Sequence, residues 1–309
     1  MTLVILTSLG PLTGCFTSID ESVDMAAYES SGDWIIDAPH ALELQRAGAL
    51  VLDARDAAHE AYGRQHVRGS QPAYWGTFSA DQHPHRGLLL EDEALLEERL
   101  RALGVRNDTP IVVAGDPAEG WGEDGRLVWM LRALGHESTR LVDGGLPALI
   151  RAGADTISGE ANPVTPGDFT ISHDATLSID ASHLAALVAA GEHLRGGSRV
   201  VDTREPLEYA GKTPYGEARG GHVPGAIHLH YVELLNTLGY LKPRRELLAL
   251  LKTRGLSTSQ QVVAYCTGGI RSGWFVVVLR DLGFSLARNY PGSMWEWASF
   301  PAESHPLEH

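Results

Sequence analysis

Cysteine is nearly absent from this chain: two residues, Cys15 and Cys266, in 309. Two are too few for a disulfide framework, and neither has the spacing of a zinc site. The 14 histidines show no ligand spacing either, so no metal is expected. Basic clusters are also missing. With 25 Lys and Arg against 39 Asp and Glu, the formal charge is -14, and without a basic run nothing would hold a polyanion, which excludes nucleic acid as a partner. Beyond the N-terminus no apolar run reaches the length of a membrane span. What is present, 43% hydrophobic residues over 309 positions, suffices for a proper core and for two domains of common size.

At the N-terminus, Met1 to Gly14 is apolar, too short to span a bilayer but of the length of an export signal. It ends in Leu12-Thr13-Gly14-Cys15, which resembles the lipobox of bacterial lipoproteins. That resemblance implies a lipidated Cys15, a membrane tether over Asp20 to Asp33, and a place in the cell envelope or periplasm. The alternative is an ordinary cytoplasmic N-terminus. If Cys15 is lipidated, Cys266 is the one free thiol.

The chain repeats itself. Ala49 to Arg55 and Arg199 to Arg204 are each an apolar run ending in Asp-x-Arg, at Asp53/Arg55 and Asp202/Arg204. His66-Val67-Arg68-Gly69-Ser70 is answered by His222-Val223-Pro224-Gly225-Ala226, and Pro110 to Ala114 by Gln261 to Tyr265. The helical runs ending at Gly135 and Gly283 lie 148 residues apart (283 - 135). A duplication accounts for this steady offset. Short buried strands alternating with helices predict an α/β fold, a parallel sheet flanked by helices on both faces, present twice. The boundaries expected are 1–33 for signal and tether, 34–155 for the first domain, 156–177 for a linker and 178–303 for the second domain.

One segment of the second copy carries chemistry. The strand Val262 to Tyr265 runs into Cys266, then Thr267-Gly268-Gly269-Ile270-Arg271, then a helix. The carboxyl end of a parallel strand is where ligand sites form. Two glycines let successive amides turn inward as a nest, and the helix start adds its positive end. A thiol there ionises more readily than a free cysteine. A lone cysteine is more often a small buried hydrophobe, but this context favours a nucleophile. Arg271 closes the loop and can bind a substrate anion. In the first copy the matching place is Gly115-Asp116, with no nucleophile, and Arg126, at a helix start, either reaches the cleft or, as is commoner for such a position, is a surface arginine. Asp202 and Arg204 suggest an internal salt bridge supporting the loop. His222, which recurs as His66, suggests a turn device, and Trp295 and Trp297 suggest core or wall aromatics.

The Cys-x-x-Gly-x-Arg loop, the Asp202-Thr203-Arg204-Glu205 strand end, the Gly221 to Ala226 turn and the closing Gly292-Ser293-Met294-Trp295-Glu296-Trp297 together resemble a rhodanese domain. The likeness is close over 178–303 and looser over 34–155, as in tandem thiosulfate and mercaptopyruvate sulfurtransferases. It implies two tandem rhodanese-like domains, the first non-catalytic. It also implies a Cys266 persulfide that passes sulfane sulfur from a small donor to a thiol or cyanide, with Thr267, Gly268, Gly269, Ile270 and Arg271 binding substrate and no cofactor. Two features depart from the tandem pattern. Glu208 stands where an arginine usually binds the substrate anion, six residues after the strand-end aspartate, and Met294 rather than tryptophan follows Ser293. Three other functions stay open: a cysteine phosphatase or arsenate reductase, whose loop has five residues between Cys and Arg against four here; a non-catalytic binding module; and a persulfide reductase.

Overall fold

The computed structural model describes residues 27–55 and 61–309; Cys15 and the apolar N-terminal run lie outside them. In the first half, β1 (Ile35–Ile36), α1 (Ala38–Arg46), β2 (Leu50–Asp53), α2 (Ala61–Arg64), β3 (His66–Val67) and β4 (Gln71–Pro72) are followed by α3 (Glu93–Ala102), β5 (Ile111–Ala114), α4 (Glu123–Ala133), β6 (Thr139–Val142), α5 (Gly145–Arg151) and β7 (Thr156–Ile157). The second half runs α6 (Ala181–Ala189), β8 (Ser198–Asp202), α7 (Pro206–Tyr209), β9 (Ile227–His228), α8 (Arg244–Thr253), β10 (Gln261–Tyr265), α9 (Ile270–Asp281), β11 (Ala287–Asn289) and α10 (Ser293–Trp297). Nine of these strands form two parallel sheets, ordered β1-β6-β5-β2-β4 and β11-β10-β8-β9, and β3 and β7 pair separately. Central pairs match copy for copy: β2 lies along β5 as β8 lies along β10.

Strand alternation divides each sheet between two cores. On β5, Ile111 and Val113 face inward while Val112 and Ala114 face the layer of α1 and α5. On β10, Val262 and Ala264 face inward, and Val263 and Tyr265 face α6 and α10. The two inner faces share one continuous core, filled by the buried runs Leu127 to Leu131 of α4 and Phe275 to Leu279 of α9. Each such large apolar side chain contributes roughly 2 kcal/mol by leaving water. These two runs are apolar all round because each is covered on every side.

The crossing of α4 and α9 is set by two glycines. A Cβ on Gly125 would overlap Trp274, and one on Gly273 would press on Arg126 at 3.3 Å. Gly125 and Gly273 are 148 residues apart (273 - 125), the repeat offset, so each copy offers its own glycine to the residue that follows the other's. Two segments bind more tightly than their composition suggests. Residues 156–177, expected to be a linker, hold β7 antiparallel to β3 and bury Phe169 in the inner core. Tyr28 and Ser31 donate to the carboxylate of Asp281, the last residue of α9, at 2.5 and 2.7 Å, which straps the start of the described chain to the second domain. Among the described residues no helix is long and apolar enough to cross a membrane.

Candidate active site

Cys266 follows β10 directly and is 1% exposed. Its sulfur accepts from the Gly269 amide at 3.1 Å and from Ser272 Oγ at 3.5 Å. Gly269 adopts φ 80° as the residue before α9, a left-handed conformation that glycine takes without strain, and a Cβ there would strike the Pro291 carbonyl. Burial pushes the thiol pKa up. Against it stand the charge of Arg271, the amide and hydroxyl of Ser272 and the Gly268 amide, and together they hold the thiol below its ordinary value. The loop is thus built for an anion on sulfur.

The closing segment locks the loop from the other side. Cys266 N donates to Ser293 Oγ at 3.0 Å, Met294 N to the Cys266 carbonyl at 3.1 Å, and Trp295 N to the Thr267 carbonyl at 2.9 Å. Ser293 is the one non-glycine residue with positive φ, 51°, among the described residues. Its counterpart 148 positions earlier is Gly145, φ 58°. The serine adopts a strained conformation that glycine holds freely, and its hydroxyl caps the Cys266 amide. Trp295 lies against Gly268, so a Cβ there would overlap its ring. His83 and Arg86 of the first domain flank the same indole at 5.2 and 5.1 Å.

Arg271 faces inward, and both its terminal nitrogens are taken by Glu208, at 2.6 and 2.8 Å. Thr267 Oγ1 accepts from the same guanidinium at 2.6 Å and donates to Glu208 at 2.5 Å. Burial pushes the Glu208 carboxyl up, but the hydrogen bonds and charge of Arg271 outweigh it and leave the group below its usual range. Glu208, noted in the sequence only as a departure, is therefore the bidentate partner of the loop's own cation.

The supporting residues also find places. Asp202 holds buried Arg204 at 2.7 Å, and Arg204 continues to the Gly221 carbonyl. Asp53 and Arg55 repeat the pair at 2.7 Å. His222 stacks on Tyr209 and His66 on Tyr62, each with Nδ1 on that tyrosine's carbonyl. Trp297 is core, and Trp295 forms the wall over the loop. Arg126 requires a correction: it is not on the surface but 0% exposed, reaching across the domain boundary to the Gly269 carbonyl at 3.1 Å. Ser272 and Asn289, which sequence patterning did not single out, are bonded to each other at 2.7 Å beside the sulfur. In the first domain Gly115 takes the place of Cys266, its carbonyl accepting from Leu146 N as that of Cys266 does from Met294 N. Among the described residues no cluster of metal-ligating side chains forms.

Known proteins resemble this chain over both of its domains. The profile of the rhodanese-like domain matches twice, over residues 37–152 and 180–300. A thiosulfate sulfurtransferase of Pseudomonas aeruginosa is 31% identical over 257 residues, which cover 82% of this chain and 89% of that protein. A probable 3-mercaptopyruvate sulfurtransferase of the same organism is 31% identical over 282 residues, 84% of this chain and 93% of its own length. Among solved structures, YnjE superposes with a TM-score of 0.76 at 22% identity, over 88% of this chain and 67% of that one, a likeness of fold.

Proposed function

The chain belongs to the rhodanese-like family and is a sulfurtransferase, and from that premise we propose that Cys266 is the group that carries the sulfur. The observation that supports this is the environment of Cys266 Sγ, a buried sulfur at a strand end that accepts from the Gly269 amide, with its thiol held below the ordinary value. With thiosulfate, the thiolate attacks the outer sulfur and the S–S bond breaks. Sulfite leaves with the bonding pair, and Cys266 holds a persulfide whose terminal sulfur bears the charge. An acceptor thiolate or cyanide then attacks that terminal sulfur, and the Cys266 thiolate returns. With thiosulfate or a persulfide the bond broken is sulfur–sulfur; with 3-mercaptopyruvate it is carbon–sulfur, and pyruvate leaves as its enolate and takes a proton, so the electrons come from these bonds and the attacking nucleophiles, and the chemistry calls for no metal or organic cofactor.

The donor classes are thiosulfate, 3-mercaptopyruvate and low-molecular-weight persulfides, and the acceptor is a small thiol or cyanide. Thr267 to Arg271 line the donor's place, Asp202 and Arg204 brace it, and the first domain is a non-catalytic partner. Steady-state thiocyanate formation at several donor and cyanide concentrations tests the scheme. Parallel double-reciprocal lines are expected from a covalent intermediate; intersecting lines would require donor and acceptor to bind together and would remove the persulfide from the path.

The tetrapeptide ending at Cys15 supports a second element of the proposal, a lipid anchor placing the enzyme in the cell envelope or periplasm. Full-length protein from a bacterial host is expected in the detergent phase of a Triton X-114 partition, and Cys15→Ala in the aqueous phase. Wild type in the aqueous phase would favour the cytoplasmic alternative.

A further inference from the structure

The loop's own arginine is not a free cation, since Glu208 takes both ends of its fork. A second guanidinium reaches the same loop. Arg126, in the first turn of α4, is fully buried and has no carboxylate partner among the described residues. It donates to three neutral oxygens, the Gly269 carbonyl at 3.1 Å, Ser79 Oγ at 3.3 Å and the Gly87 carbonyl at 2.5 Å. Its Nε has no partner, and its guanidinium lies 4.5 Å over the Trp129 ring. Burial pulls its pKa down to about 9, opposed by the charge of Cys266. A dry, unpaired cation is expensive to keep unless an anion forms beside it.

The repeat explains how it arrived there. Arg126 and Trp274 are equivalent positions (274 - 126 = 148), each following the glycine at the helix crossing. Trp274 enters the first domain against Gly122 and Gly125, while Arg126 enters the second against Gly269 and Gly273. One copy therefore gives the other an indole, and receives from it a cation.

We propose that Arg126 of the first domain is a positioning residue of the second domain's sulfur site, its unpaired guanidinium stabilising the negative charge that Cys266 bears as thiolate and as persulfide. This rests on the reading of Cys266 as the sulfur carrier. Of the charged groups around the sulfur, Arg271 is neutralised by Glu208, and Arg126 holds the carbonyl of Gly269, the residue whose amide donates to Sγ; Asn289 of β11 and Ser293 of α10 are neutral and bond Ser272 Oγ and the Cys266 amide, and His83 and Arg86 lie against Trp295.

The test is the pH dependence of Cys266 alkylation by iodoacetamide, a neutral reagent, in the full-length chain with Arg126 as arginine, lysine, glutamine or methionine. Arg126→Gln and Arg126→Met are expected to raise the midpoint by about one pH unit, a tenfold loss of thiolate below it, while Arg126→Lys stays within a few tenths. A merely structural arginine would lower the melting temperature and leave every midpoint in place, which overturns the proposal. So would a wild-type midpoint in Arg126→Gln, since glutamine can keep the bond to Gly269 without the charge. Lysine and glutamine decide the question even if the methionine variant does not fold. No sulfur donor is used, so a failure here is separate from a failure of sulfur transfer, which is read by persulfide formation in the wild type.

Discussion

The two domains repeat one topology, yet at the same strand end one has Gly115 and the other Cys266. From Gly115 to the helix start at Glu123 the first loop takes eight steps; from Cys266 to Ile270 the second takes four. The short loop draws the amides and the start of α9 onto one atom. The long loop instead closes over buried Asp124, whose carboxyl burial pushes up to about 7, with half-buried Asp143, raised by desolvation to about 7, on the wall of the same cavity. One fold thus favours an anion at one site and resists one at the other. The difference lies in loop length and in what the partner helix inserts, Arg126 or Trp274.

The comparison can be broken most severely at Cys266, the proposed sulfur carrier. Cys266→Ser is expected to lower thiocyanate formation more than ~10³-fold with the fold intact, because nothing at Gly115 can substitute. Activity within tenfold of wild type would place the sulfur elsewhere. Next comes the ion pair beside the sulfur: Glu208→Gln leaves Arg271 buried and uncompensated and should cost about 3 kcal/mol in denaturant unfolding. The same change strengthens the positive field at Cys266, so the alkylation midpoint should fall rather than rise.

The first domain has its own signature, in pH. Asp124 is raised in the folded state, so its contribution to stability is complete below the unfolded carboxyl value near 4 and is lost as pH rises through about 7. Asp124→Asn cannot ionise. Relative to wild type it should gain on the order of 2 kcal/mol between pH 4.5 and pH 8, read from denaturant midpoints, with Asp143 common to both proteins. A constant difference between the two proteins would mean that Asp124 is solvated. The smallest effect is expected at Ser293, the strained counterpart of Gly145. Ser293→Gly relieves the backbone but removes the cap on Cys266 N, giving near-native stability and about a tenfold loss of rate, the ~1.4 kcal/mol of one hydrogen bond.

The sequence disclosed what local pattern encodes. Apolar runs ending in Asp53 and Asp202 marked the central strands, the 148-residue offset revealed the duplication, and Cys266 between a strand and two glycines marked the reactive loop. Hidden from it were pairings between residues far apart. Glu208 meets Arg271 across 63 positions and Arg126 meets Gly269 across 143, and no periodicity within either segment predicts such contacts. An arginine in the first turn of a helix is commonly solvated; here the unbroken apolar run Leu127 to Leu131 that follows it was the signal that its neighbours are buried. Composition likewise suggested a linker at 156–177, where Phe169 and β7 attach the segment to the first domain.

The central claim is that the short loop makes Cys266 a sulfur carrier and that its counterpart in the first domain carries nothing. Intact mass spectrometry of the purified chain before and after thiosulfate, 3-mercaptopyruvate or a small persulfide tests it directly. The account predicts a gain of about one sulfur atom, roughly 32 Da, on wild type and none on Cys266→Ser, discharged as thiocyanate by cyanide. An unchanged mass with all three donors, or the same gain on Cys266→Ser, would contradict it.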